Sequence, residues 1–221
     1  IIIRSVFSQT IDLNNRLDYL KSHDLYIAKV ELNHKEFNPS EIDSILKWEE
    51  KININIKKVI ETFWDLSDSI HYIDADCLKK CKKKYPYEVF LDFKWKKYYG
   101  FILKVPKRRR LFNDVSPRIL NNVNSLLRIT EELRQLRYNV IHGTTFYAGP
   151  DIEKSLLILD EPALNDYHQA FIDEYIQKFP NSYQMVDREF LMNAIYQRDK
   201  RYIYINRLSI INVEDGSMVP L

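Results

Sequence analysis

Apolar residues recur at helical spacing along much of the chain. Asn38-Pro39-Ser40-Glu41 reads as a helix start with Ser40 as N-cap. Apolar positions then fall at 42, 45, 46, 52, 56, 59, 60, 63, 66, 70 and 73, a spacing that predicts one helix of about 30 residues. The ININI alternation at 52–56 competes with this, but the length favours helix. Ser116-Pro117 opens the clearest helix, whose stripe of Ile119, Leu120, Val123, Leu126, Leu127, Leu133, Leu136 and Val140 runs to His142, with Gly143 as the expected stop. Shorter helices are expected over 8–22, 75–84, 86–105, 162–179 and 185–200. Pro86 separates the second of these from the third, and Pro180 ends the 162–179 segment.

Extended structure is a minor part of this reading. Residues 24–33 alternate weakly and read as a strand or connector. Residues 155–159 form a short apolar piece. Residues 201–213 are β-branched and aromatic and read as a strand or hairpin arm. The tail after 213 reads as loose, and no internal repeat is visible. The expected fold class is therefore all-α, an up-and-down helical bundle with minor strand segments near the termini. Its core comes from the helices at 41–73, 116–142 and 162–179. The expected division is an N-terminal arm over 1–37, a bundle over 38–200 and an extended C-terminal segment over 201–221.

Composition narrows the class. The 221 residues are 45% hydrophobic and 29% charged, enough apolar material for a core and too much for a disordered chain. No 18-residue apolar run suggests a membrane helix. The opening IIIRSVF is too short and too polar downstream to read as a signal peptide. Two cysteines are the usage of a cytoplasmic chain rather than of a secreted disulfide framework.

Charge changes the picture more. The net charge of +2 hides a block over 79–110 with 13 Lys or Arg against Glu88 and Asp92, a local net of +11. The remainder sums to −9, and residues 151–189 hold nine acids against Lys154, Lys178 and Arg188. Tyr85, Tyr87, Phe90, Phe93, Trp95, Tyr98, Tyr99 and Phe101 interleave with the basic block. Cations engage phosphates and aromatic rings stack on unpaired bases, so Lys82, Lys83, Lys84, Lys94, Lys96, Lys97, Lys107, Arg108, Arg109 and Arg110 are the expected RNA-binding residues. A solvated helix face with its aromatics in the core is the plainer alternative.

The sharpest local pattern is Arg137-Tyr138-Asn139-Val140-Ile141-His142-Gly143 at the end of the best-defined helix. An Arg–His spacing alone is common by chance, and Arg16 with His23 gives a second pair. In its context the pattern resembles the R-x4-6-H motif of the HEPN superfamily of all-α ribonucleases and nucleotide-binding proteins, often written R-N-x-x-x-H-G. The likeness covers the motif, its helix and the bundle core. Tyr138 departs from the polar residue that often follows the Arg, with Asn139 one place later. The H-x-Y variant common in toxins paired with nucleotidyltransferase antitoxins is absent.

The resemblance implies a metal-independent endoribonuclease working at a composite homodimer site. The RNA's 2′-OH attacks and a 2′,3′-cyclic phosphate is left. Arg137 and His142 would be catalytic with Asn139 assisting, no cofactor or metal is required, and the setting is prokaryotic defence or toxin–antitoxin, with a cognate antitoxin or activating partner. The side-chain chemistry is compatible: His exchanges protons near neutrality and Arg stays cationic beside a phosphate. Five residues put the two side chains about 140° apart around one helix, so a second protomer or unwinding at Gly143 must bring them together. The alternatives are a non-catalytic HEPN-like module that binds RNA, nucleotide or a partner, and a helical protein whose basic block binds DNA or an acidic partner. Structural roles compete as well: His142 against the last helix carbonyls, and Arg137 paired with Glu131 or Glu132.

Weaker patterns are Cys77-x3-Cys81 with His71, which lacks a fourth zinc ligand, and the acid pairs Asp160-Glu161 and Asp173-Glu174. His23, His34 and His168 are isolated. No phosphate-cradling or hydrolase motif is present.

Overall fold

The computed structural model describes residues 15–32, 34–94, 100–107, 114–115, 126–142, 153–159, 173, 176–177, 183–206 and 209–220. The chain forms two compact units, Ile1–Thr144 and Thr145–Leu221, each built on a five-stranded mixed sheet. The fold is α/β, which overturns the all-α bundle. The expected boundaries at 37/38 and 200/201 fall inside these units.

In the first unit β1 (Leu25–Ala28) is the central strand, parallel to β2 (Ile70–Ile73) on one side and to β3 (Val89–Lys94) on the other. All four β1 residues are buried, as expected of a parallel strand covered on both faces, and this hides the alternation that marks a half-exposed strand. β3 turns into the antiparallel β4 (Gly100–Lys104), which pairs with β5 (Asp114–Val115), giving the order β2-β1-β3-β4-β5.

Parallel neighbours need crossovers. α1 (Ile42–Phe63) supplies the first and α2 (Leu78–Lys84), entered through a 3-10 turn at Ala75–Cys77, supplies the second. The two crossovers run in opposite directions across the sheet. Right-handed connection therefore puts the two helices on opposite faces. α3 (Leu126–His142) packs beside α1. The buried stripe of α1 is Ile52, Asn55, Ile56, Val59, Ile60 and Phe63, and Asn55 Nδ2 reaches Thr130 Oγ1 of α3 at 3.2 Å.

Two expected helices and one expected cap are corrected. The 41–73 helix stops at Phe63, where Asp65, Ser67, Asp68 and Ser69 interrupt it, and Ile70 and Ile73 belong to β2 although their spacing continued the stripe. The 86–105 helix is the β3–β4 hairpin, because Val89, Phe90, Phe93, Phe101, Ile102 and Val105 favour a pleated surface over a helix. The cap of the 41–73 segment is also displaced: Pro39–Glu41 is a 3-10 turn, and the Glu41 carboxylate reaches back to the Asn38 backbone N–H at 3.1 Å, leaving Ser40 inside the turn. The helical expectation for 75–84 stands, and the described part of the 116–142 helix is helical from Leu126 onward.

The second unit is organised around β6 (Ser155–Leu159), parallel to β7 (Tyr183–Val186) and β8 (Tyr202–Asn206). β9 (Ser209–Asn212) and β10 (Met218–Pro220) continue as an antiparallel meander, giving β10-β9-β8-β6-β7. The tail read as loose thus supplies an edge strand. α4 (Arg188–Tyr196) joins β7 to β8, capped by Asp187, whose Oδ1 accepts the Phe190 N–H at 2.7 Å. Leu156, Ile158, Ile203, Ile205 and Ile210, with Ile176 against them, form its core. The expected 162–179 helix falls mostly outside the described residues; 173, 176 and 177 are helical.

The two units repeat one topology that no sequence periodicity betrayed. Each runs central strand, crossover, parallel edge strand, helix, second parallel neighbour, then two antiparallel strands. β7 stands 113 residues after β2, and the helix that follows keeps the offset: Asp74 and Asp187 lead into helices whose inward residues are Leu78, Cys81 and Lys82 in one unit and Leu191, Ala194 and Ile195 in the other. Register extends the match. Tyr26 pairs with His71 and Phe90, while Leu157 pairs with Gln184 and Tyr204.

Candidate functional site

The Arg137–His142 segment lies in the last turns of α3. α3 is buried on nearly every side, its acids Glu131 and Glu132 included. Both acids engage Arg128, at 3.9 and 2.7 Å. Arg137 pairs with neither of them. It turns to the segment that leaves α1 and grips the Asp65 carboxylate with Nε at 3.0 Å and Nη2 at 2.7 and 2.9 Å. Asn139 Oδ1 accepts from Gln135 Nε2 at 2.8 Å. His142 is exposed, with its ring 4.4 Å from that of Tyr138. The helix is regular through His142, so Arg137 and His142 keep their separation of about 140° around the axis. One protomer does not assemble them into a site. Gly143 lies outside the described residues.

The basic block resolves into distinct parts. On α2, Lys79, Lys80, Lys83 and Lys84 are exposed, and the Lys84 amine sits 4.8 Å over the Tyr85 ring. Lys107 is exposed at the end of the β4 segment. Lys82 turns the other way. Its amine lies 3.1 Å from Asp92 Oδ2 on β3 and 5.7 Å over the Phe90 ring. Lys104 on β4 meets the same oxygen at 3.2 Å. Lys82 therefore belongs to a half-buried charged cluster rather than to the solvent-facing surface. The side chain of Lys94 and residues 96, 97 and 108–110 lie outside the described residues. The named RNA-binding set left out Lys79, Lys80 and Lys104, which the basic block had counted, and gave Asp92 no role in organising the cluster. The available signal was Asp92, a lone acid in the middle of Val-Phe-Leu-Asp-Phe.

Most of the described interleaved aromatics serve the core. Phe90 and Phe101 are buried, Phe93 packs on Phe101 at 5.2 Å, and Tyr85 stacks on Tyr26 at 5.2 Å. Tyr87 is the exception, 55% exposed directly after α2, with its backbone carbonyl held by the Tyr19 hydroxyl.

At the opposite ends of the parallel strands, side chains of α1 fasten the chain that leaves β1. Asn53 bonds the Val30 N–H at 2.8 Å and the Val30 carbonyl at 3.0 Å. The buried Glu49 accepts the Leu32 N–H and meets His34 Nε2 at 3.1 Å. Lys29 and Asp74, at the ends of β1 and β2, form an exposed ion pair at 2.7 Å. His71 is held by Asp24 at 2.9 Å and stacks on Tyr26. Cys77 and Cys81 are free thiols. Asp76 pushes the Cys77 thiol up, the reverse of activation. Among the described residues no group of three or more His, Cys, Asp or Glu side chains gathers as a metal site, and no helix is long and apolar enough to cross a membrane. No protein-family model, curated protein or solved structure matches the chain.

Proposed function

We propose that the protein binds RNA through the exposed face of α2 and acts there as a binding module without cleaving its ligand. The observation that carries this reading is the clustering of Lys79, Lys80, Lys83 and Lys84 on one exposed helical face beside the exposed ring of Tyr87. Lysines at this density engage successive phosphates, and an exposed tyrosine gives an unpaired base a stacking surface. Lys107 extends the same charge.

Anisotropy titration of a labelled, unstructured RNA oligonucleotide at several salt concentrations tests it. Each phosphate contact on a single strand contributes about 0.7 to the slope of log K against log salt. Replacing the four exposed α2 lysines by Gln removes up to about 2.8 from that slope. An unchanged slope in the folded variant, or no binding by the wild type at low salt, overturns the reading.

A cleavage reading keeps one supporting observation, the exposed His142 at a helix end. Against it, the HEPN resemblance implied an all-α bundle, and Arg137 is committed to Asp65. Incubation of wild type and His142→Ala with RNA in EDTA separates the two readings: cyclic-phosphate ends made by the wild type alone establish cleavage.

A further inference from the structure

On the sheet face covered by α2, two amines share one carboxylate. Asp92 Oδ2 is 3.1 Å from Lys82 Nζ and 3.2 Å from Lys104 Nζ. The Asp92 side chain is 8% exposed, that of Lys82 18% and that of Lys104 28%. One carboxylate neutralises one ammonium, and a second ammonium on the same oxygen repels the first. The more deeply placed amine yields its proton more readily. Burial, helped by Lys104 and opposed by Asp92, brings Lys82 down to about 8. Asp92 on β3 and Lys104 on β4 are the charged groups acting on it. Tyr26 on β1, with Cys81 and Tyr85 from α2 and its end, are the titratable groups nearby on that face.

The second unit shows that the fold does not require amines there. The inward helix position of Lys82 corresponds to Ile195. Lys104, paired with Phe90, corresponds to Ile211, paired with Tyr204. Both isoleucines are buried. Apolar residues close such a face at least as well as a half-buried ion cluster, so the Lys82–Asp92–Lys104 cluster is unexplained by stability alone.

We propose that Lys82 is a nucleophilic amine that condenses with small anionic aldehydes to form an imine. The neutral ε-nitrogen adds to the carbonyl carbon. Asp92, within 3.1 Å, carries the two N–H protons in turn to the carbonyl oxygen, the first to make it a hydroxyl and the second as it departs. The C–O bond breaks, a C=N bond remains, and one water is lost. The exposed lysines of α2 attract the anion, and burial, helped by Lys104, makes the Lys82 amine easier to deprotonate. This assignment stands whether or not RNA binds the same helix.

The probe is pyridoxal 5′-phosphate at equimolar concentration, followed by borohydride reduction and peptide mass mapping. Lys82 is expected to carry most of the label, ahead of the better exposed Lys79, Lys80, Lys83 and Lys84, with a rate that climbs as pH is raised to about 8 and then levels. Lys104→Met removes the ammonium that repels Lys82 across Asp92, raises the Lys82 pKa and slows labelling at pH 7 by about tenfold for each unit that its pKa recovers. Label spread over the lysines in proportion to exposure overturns the proposal. So does an unchanged Lys82 rate in folded Lys104→Met, a variant that keeps the test decisive should Lys82→Met fail to fold.

Discussion

Asp65 and Arg137 offer the sharpest test of what the Arg137–His142 segment does. The guanidinium donates three hydrogen bonds of 2.7–3.0 Å to one carboxylate, joining the end of α1 to α3. The Arg137 side chain is 13% exposed but that of Asp65 is 65% exposed. Water and salt therefore screen the pair, and its worth lies in the surface range of about 0.2–1 kcal/mol. The two-pronged geometry places it toward the upper end of that range.

Urea unfolding of wild type, Asp65→Asn, Arg137→Met and the double variant closes a thermodynamic cycle. The expected coupling is about 0.5–1 kcal/mol at low ionic strength, shrinking in about 1 M salt as the Debye length contracts. If Arg137 is a strut, Asp65→Asn leaves RNA affinity and any RNA cleavage unchanged. Coupling indistinguishable from zero would refute the strut, and cleavage that appears on freeing the guanidinium would return Arg137 to chemistry.

Two further outcomes follow from the α2 face and its counterpart. The folded-state pKa of Lys82 lies near 8, below the ordinary lysine value of 10.5, so between those values the unfolded chain binds more protons. Wild-type stability should then rise with pH from 8 to 10, by at most about 1.4 kcal/mol per unit, and chemical denaturation of Lys82→Met across this range should lack that slope; equal slopes would place the Lys82 pKa elsewhere. In the second unit Ile195 is fully buried, and Ile195→Lys puts an ammonium where the paired β9 position is Ile211. A loss of about 3 kcal/mol or more is expected in thermal or urea unfolding, and a neutral effect would undo the equivalence drawn between the two helices.

How much was legible depended on how locally each element is encoded. The α1 stripe from Ile42 to Phe63, the α3 stripe after Leu126 and the β8–β9 arm were all visible, because each carries its own periodicity over enough residues. β1 was legible only as a strand or connector over 24–33, because Leu25, Tyr26, Ile27 and Ala28 are all buried and carry no clear alternation. β2 was absorbed into the preceding helix because Ile70 and Ile73 are spaced three apart, a distance that suits either a helix face or the two ends of a four-residue strand. Central parallel strands owe their identity to neighbours distant in sequence: β1 finds β2 and β3 only after two crossovers. The site was legible to the same degree. A lysine-rich helix over 75–84 was readable, whereas the inward turn of Lys82 depends on Asp92 in a strand first taken for helix. Arg137 stood out by spacing, and its partner Asp65, 72 residues away, could not.

The repeated topology gives a reason to place function where the two units differ. Both bury equivalent elements in the same order and register, so the scaffold itself discriminates nothing. At the helix after the parallel edge strand, one unit presents Leu191, Ala194 and Ile195 to its sheet and the other presents Leu78, Cys81 and Lys82. At the paired antiparallel strand, Ile211 stands where the first unit has Lys104. Burying amines is costly and burying isoleucine is favourable, so the first unit carries a stability cost that the second avoids on the same scaffold. The exposed side of that first-unit helix adds four more lysines, whereas the described exposed side of α4 is mixed in charge, with Arg188 and Glu189 adjacent. Lysines therefore stand on both sides of one short helix, Lys82 paired inward with Asp92 and four more facing solvent, where the second unit places Ile195 and Ile211 at the inward positions.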